Sequence, residues 1–222
     1  MLSLLSGLVA GSIHVVSGPD HLAAVAPLSV RHPKHARSMG FKWGLGHAGG
    51  VIFVGLLALL LRRALPVEAF SSWSERIVGM ALGAIGLWGI RAALKNRVHV
   101  HEHSHGGNTH MHLHVHSPQQ AHAETSAHSH THTAFAFGIL HGFAGSSHFI
   151  GVLPALAFPT TIDATLYLGA YGIGTVLAMT CFASVMGATA KRFALSGEVA
   201  YRRLMLSCST AAILVGAYWL VS

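Results

Sequence analysis

Charged residues are scarce in this sequence: Asp, Glu, Lys and Arg together make up 9% of 222 residues, against about 25% in a soluble globular domain. So few charges cannot cover a water-facing surface, and a soluble globule is excluded. Cysteine is nearly missing too. Cys181 and Cys208 both fall inside long apolar runs, are expected to be small buried hydrophobes, and form no disulfide framework. No G-x-x-x-x-G-K-[ST] run occurs, so the chain carries no phosphate cradle of that kind. No His-Glu-x-x-His occurs inside an apolar run either, which leaves a zinc-dependent intramembrane enzyme with Asp20 as its single candidate base. The opening MLSLLSGLVAG lacks a basic n-region, so no cleaved signal peptide is expected and the first apolar run is expected to be retained.

What the chain has in excess is apolar surface and histidine. Hydrophobic residues make up 52% of it and the mean hydropathy is +0.53. A helix needs about 20 apolar residues to cross the hydrocarbon, and a lipid-facing backbone must satisfy its own hydrogen bonds. Six apolar runs with few charges meet this demand, over residues 2–28, 40–61, 70–90, 134–158, 164–190 and 204–221, the strictly uncharged core of the third being the short stretch 77–90. The chain is therefore expected to be an all-α, polytopic membrane protein. The net charge of +7 comes from basic residues in the short connections, so it reads as topology and no nucleic acid is expected. Eleven basic residues fall on one side (Arg31, Lys34, Arg37, Lys42, Arg91, Lys95, Arg97, Lys191, Arg192, Arg202, Arg203) and three on the other (Arg62, Arg63, Arg76). The richer side is expected to be cytoplasmic, with both termini outside a plasma (inner) membrane.

The sequence also repeats. Residues 11–27 align without gaps on 138–154 with six identities in seventeen positions, among them His14 on His141 and His21 on His148. Gly44, Gly49 and Val51 are echoed by Gly169, Gly174 and Val176. The expected domains are a first three-helix repeat over 1–97, a His-rich segment over 98–133 and a second repeat over 134–222. Three spans is an odd number, so the halves must insert in opposite directions, an architecture in which sites lie at the repeat interface near the midplane.

Asp20 is the one carboxylate well inside a span, flanked by His14 and His21. Ionisable groups at that depth are costly and face an interior or a water-filled path. In an unbroken helix His14 and His21 would stand about 10 Å apart along the axis, too far for one ion. Ser17-Gly18-Pro19 reads instead as a cap followed by proline at the first helical position, with Asp20 in the first turn. The first span, and with it the fourth near Gly145-Ser146-Ser147, is expected to be broken. His47, in a glycine-rich context, adds another imidazole, and its repeat partner is Gly172. The candidate metal ligands are His14, Asp20, His21, His47, His141 and His148. Imidazole with carboxylate suits Ni(II), Co(II) or Zn(II). The ion is expected as cargo, and no bound cofactor is expected. Thr175, Ser146 and Ser147 are read as helix-interface hydrogen-bond groups rather than path-lining ones.

Twelve of the nineteen histidines lie between His99 and His132, eleven of them in HVHEHSH, HMHLHVH and HSHTH and the twelfth at His122. With almost no apolar mass to bury, this cytoplasmic segment is expected to be disordered without a ligand and to bind transition metals weakly. A cytoplasmic metal acceptor or chaperone is the partner expected there.

On His14-Val-Val-Ser-Gly-Pro-Asp20-His21-Leu-Ala-Ala, Leu45-Gly46-His47 and His141-Gly-Phe-Ala-Gly-Ser, the sequence resembles the nickel/cobalt transporter family, most closely its six-span urease-accessory type of nickel permease. The His-rich segment is similar to the efflux branch, so the resemblance leaves direction open. It implies a non-enzymatic permease for Ni(II) or Co(II), with metal passage along His14, Asp20, His21 and His47. The family signature has four residues between its first His and the Asp-His pair, where this chain has five. A thiol–disulfide electron carrier shares the two-times-three-helix plan but needs cysteines at repeat-related positions of the first and fourth spans, where this chain has histidine. The cation-diffusion type of zinc transporter pairs ligands four apart on a helix, a spacing missing here.

Overall fold

The computed structural model describes residues 1–61, 67–95, 97–105, 108–116, 127–143 and 151–221. Among them are seven α-helices: α1 (Leu2–Ser17), α2 (Pro19–Arg31), α3 (Ala36–Leu61), α4 (Val67–Lys95), α5 (Ala127–Phe143), α6 (Thr161–Leu195) and α7 (Glu198–Val221). A 3-10 turn over Leu153–Ala157 precedes α6, and two strands, β1 (Arg97–His105) and β2 (Asn108–His116), lie between α4 and α5. The helices overrun the apolar runs at several ends, where basic residues such as Arg31, Lys95 and Arg192 stay helical.

Three segments, Glu75–Lys95, Thr161–Leu195 and Glu198–Val221, are long and apolar enough to cross a membrane, and α1 with α2 makes a fourth as one bent span. The expectation of six spans is thus met by four among the described residues, with a shorter apolar helix over Ala134–Phe143. The bundle's outer surface is apolar. Leu5, Val9 and Ile13 of α1, Ile173, Leu177 and Val185 of α6, and Leu214 and Tyr218 of α7 are exposed, while Asp20, His21, His47, His141 and Thr175 are buried. Apolar outside and polar inside suits a protein whose solvent is lipid. The chain is a multi-pass membrane protein.

The bend falls where the sequence places it. Gly18 is extended, at φ −87° and ψ 103°, its N–H bonds the His14 carbonyl at 3.1 Å, and Pro19, which has no N–H to offer the preceding turn, starts α2. The two helix axes differ by 71°. The corresponding break near Gly145 lies outside the described residues, with α5 ending at Phe143.

Small residues set the helix packing. Ser3, Gly7, Gly11 and Val15, four apart, are the buried stripe of α1. A Cβ at Gly7 or Gly11 would overlap the carbonyl oxygens of Tyr167 and Tyr171 on α6. At Gly138 and Gly142 of α5 it would overlap the carbonyls of Trp43 and His47 on α3. Backbones this close give the van der Waals contact on which membrane helices depend. The main pairings are α1 with α6, α3 with α5, α3 with α6, and α4 with α7. Exchanging the bent first span with α5, α3 with α6 and α4 with α7 leaves this set of pairings unchanged. Tyr201 of α7 ties to the end of α2 by donating to the Val30 carbonyl at 3.0 Å, and Thr160 caps α6 by accepting from the Asp163 N–H at 3.0 Å.

The His-rich segment departs from the expected disorder. β1 and β2 pair antiparallel, with His99 opposite His114, His101 opposite His112 and His103 opposite His110. The low apolar content argued against a fold, but the alternation of histidine with Val98, Val100, Leu113 and Val115 has the period of a strand. Residues 127–133, also within the segment expected to be disordered, open α5.

Candidate metal centre

The bend in the first span carries three of the site's residues on two short pieces of helix. His14 lies one turn before the end of α1, and Asp20 and His21 sit in the first turn of α2. Helix α3 adds His47 and α5 adds His141, each held close by the glycine contacts between those two helices. His21, His47, Asp20 and His141 are at most 5% exposed, whereas His14 is half-buried.

Two groups of donors result. The Nε2 of His47 lies 3.1 Å from that of His21 and 3.3 Å from that of His14. On the other side, Asp20 Oδ1 is 3.1 Å from His21 Nδ1, and Asp20 Oδ2 is 3.2 Å from His141 Nε2. In His14, His21 and His47, and again in Asp20, His21 and His141, the ligand atoms all lie within 4.8 Å of one another. Nitrogen and oxygen donors bound about 2.0 to 2.2 Å from a metal stand about 3 to 3.5 Å from each other, so each group suits one ion with little rearrangement. The imidazole rings pack around His21, whose centroid is 4.5 Å from that of His14, 4.7 Å from His47 and 4.8 Å from His141.

Gly18 is required by close approach. A Cβ there would overlap His21 Nδ1 and stand 2.7 Å from His21 Cε1 and 2.9 Å from Asp20 Oδ1. The glycine that ends α1 therefore also makes room for the His21 ring.

The structure brings five of the six expected ligands together, and His148 lies outside the described residues. The extra residue between His14 and Asp20 does not separate them, because the bend at Gly18 turns the two helix ends toward each other. Thr175 is fully buried, and its hydroxyl donates to the Tyr171 carbonyl of its own helix at 2.9 Å, in keeping with its interface reading. Ser146 and Ser147 lie outside the described residues. Cys181 is exposed on α6 and Cys208 is partly buried on α7. The expectation of two buried cysteines fails for Cys181, since the outer face of such a bundle is apolar and accepts a small thiol.

Two aromatic residues at the site escape sequence reasoning. Tyr171, fully buried, has its ring 5.7 Å from that of His14, and Trp43, 2% exposed, has its ring 6.2 Å from that of His141. An aromatic inside an apolar run looks like packing. For Tyr171 the one available signal was its place beside Gly172, the repeat partner of His47.

The family described as the cytochrome c biogenesis protein transmembrane region matches residues 4–219. The chain belongs to that family. It is also similar to the urease accessory protein UreH of Bacillus sp. (strain TB-90), 31% identical over 190 residues that cover 84% of this chain and 77% of UreH. Two Arabidopsis thaliana proteins resemble it as well. Chloroplast protein FOR GROWTH AND FERTILITY 1 is 35% identical over 84% of this chain, and FOR GROWTH AND FERTILITY 2 is 33% identical over 100% of it. The chain spans 50% and 57% of these two plant relatives' lengths. No solved structure matches. The likeness to UreH agrees with the expected resemblance to a urease-accessory type of membrane protein, while the matched family carries a different description.

Proposed function

We propose that this protein is a permease that carries a divalent transition metal ion, Ni(II) or Co(II), through the centre built by His14, Asp20, His21, His47 and His141. The observation that carries this reading is the convergence of four imidazoles and one carboxylate, nearly all buried, at a helix break inside a lipid-facing bundle. Buried ionisable groups in such a bundle are expensive and are retained for ions or protons. Neutral nitrogen with one carboxylate oxygen is a borderline donor set, matched to Ni(II) and Co(II) and tolerant of Zn(II). The likeness to UreH supports nickel or cobalt as the cargo.

In this reading two three-span repeats insert in opposite directions, with His148 completing the second half's share of the site. The pairings that survive exchange of the halves support the repeat. Both termini lie outside a plasma (inner) membrane. The His-rich hairpin lies in the cytoplasm, where it concentrates or buffers the ion and meets a cytoplasmic acceptor. The protein works without a bound cofactor and catalyses no bond-making step. A broken span serves such a permease well. Its helix ends free backbone groups at the site, and the ligands can be rearranged by small changes of angle at Gly18 rather than by moving whole helices.

The family's description raises a second reading, transfer of reducing equivalents across the membrane. That chemistry needs a thiol pair in reach of each other. Here the two cysteines are on α6 and α7, away from the bend, and the repeat-related positions of the first span and α5 hold His14 and His141. Metal passage is favoured.

Total nickel and cobalt in cells expressing the wild type or His21→Ala, measured against cells with empty vector, tests the proposal and reads direction. A raised metal content marks uptake and a lowered one marks export, and in both cases His21→Ala returns it to the vector level. Equal contents in all three overturn the proposal.

A further inference from the structure

The two donor groups are not independent, because His21 belongs to both. It offers Nε2 toward His47 at 3.1 Å and Nδ1 toward Asp20 at 3.1 Å. A neutral imidazole has one nitrogen with a free lone pair and one N–H. It can therefore ligate through Nε2 or through Nδ1, but through both only as an imidazolate. Two dications on one ring would also share a single carboxylate, Asp20, in a buried setting where their repulsion is weakly screened.

We propose that the two groups are alternative stations for one ion, and that His21 makes their occupation mutually exclusive. This rests on the reading of the centre as an ion path. At the first station the ion is held by the Nε2 atoms of His14, His21 and His47, and His21 keeps its proton on Nδ1, donating to Asp20 Oδ1. There Asp20 is a positioning residue, orienting the imidazole as carboxylates do behind metal-bound histidines. At the second station the ion is held by Asp20, His21 Nδ1 and His141 Nε2, the proton is on His21 Nε2, and the His47 Nε2 at 3.1 Å accepts from it. Passage from one to the other takes one proton from Nδ1 to water and brings one from water to Nε2, so no proton is gained or lost. The half-buried His14 puts the first station at the accessible mouth, and the buried Asp20 and His141 put the second deeper. The ion is handed between two three-donor sites that share a residue but no donor atom, so it is never held by all five.

The test is Co(II) titration of the full-length chain with the twelve histidines from His99 to His132 replaced by asparagine, followed by the visible absorption of bound Co(II). The expected result is one equivalent bound. His14→Ala, which leaves the second station intact, and His141→Ala, which leaves the first, each still bind one equivalent, with spectra that differ from each other and with association constants that sum to about the parent's, so that the tighter of the two binds within about twofold of it. His21→Ala binds none at comparable concentrations. If an alanine variant does not insert, His14→Gln and His141→Gln serve in its place. Two equivalents bound by the parent chain, or complete loss of binding in either His14 or His141 variant, overturns the two-station proposal and leaves the permease reading standing. No Co(II) bound by the parent chain overturns both.

Discussion

Gly18→Ala is a small change with a large expected effect. The backbone at residue 18, with φ −87°, accepts alanine without strain, and alanine costs less backbone entropy than glycine. Helix formation should not suffer. The added Cβ, however, would overlap His21 Nδ1 and come within 2.7 Å of Cε1 and 2.9 Å of Asp20 Oδ1. Ordinary carbon contacts begin near 3.5 Å, so the ring must retreat by roughly 1 Å. His21 is 1% exposed and has no free volume to move into without leaving His47, now 3.1 Å away, or Asp20. A misplacement of about 1 Å can cost about a hundredfold where geometry decides function. Purified Gly18→Ala should therefore bind Co(II) or Ni(II) about 10 to 100 times more weakly than wild type in isothermal titration, while its yield and helical circular dichroism are unchanged. Gly49→Ala is the control, since a Cβ there meets nothing within 4 Å, and it should bind as wild type does. Wild-type affinity in Gly18→Ala would refute the reasoning, because it would mean that the His21 ring need not sit where the structure has it.

Asp20→Asn and His21→Ala should abolish metal transport while inserted protein, measured by membrane fractionation, stays at the wild-type level. Cys181→Ser with Cys208→Ser should leave transport unchanged, and a loss would favour the redox reading. Deleting residues 98–133 and joining the ends with a flexible linker should shift the concentration dependence of transport but leave its maximal rate largely intact. The metal held by the hairpin in the wild type should be released as pH falls through about 6.5, since protonated imidazole cannot ligate. Thr160→Ala removes the hydroxyl that caps α6 and donates to the Asp163 carboxylate at 2.7 Å. It should cost about 1 kcal/mol, or a fall of about 2 to 4 °C in the thermal midpoint in detergent.

The break at Gly18 was legible because three local signals agree there: a cap, a proline at the first helical position and an acidic residue in the first turn. Its consequence was legible too, since His14 and His21 could share an ion only if the helix broke. The involvement of His47 and His141 followed from the cost of placing imidazole in an apolar run. What could not be read was the division of the donors into two groups around His21, because that depends on which ring nitrogen faces which neighbour, and no spacing encodes it. The hairpin was missed for a different reason. Composition argued that 98–133 could bury nothing, whereas a period-two alternation pairs strands without needing a core of its own. Helix ends were set too short wherever a basic residue stopped an uncharged run but not the backbone's own hydrogen bonds. Tyr171 and Trp43 remained invisible because their type is what a buried span would hold anyway.

The central claim is that the buried centre passes a transition metal ion across a membrane, and flux in purified-protein vesicles measures it directly. With a metal-quenched dye inside and Ni(II), Co(II) or Zn(II) outside, and with the gradient then reversed, the account predicts saturable, protein-dependent flux that favours Ni(II) or Co(II), is slowed by competition among the three ions, and is lost in His21→Ala. Flux of all three ions no faster than in protein-free vesicles, in both gradient directions, would contradict it.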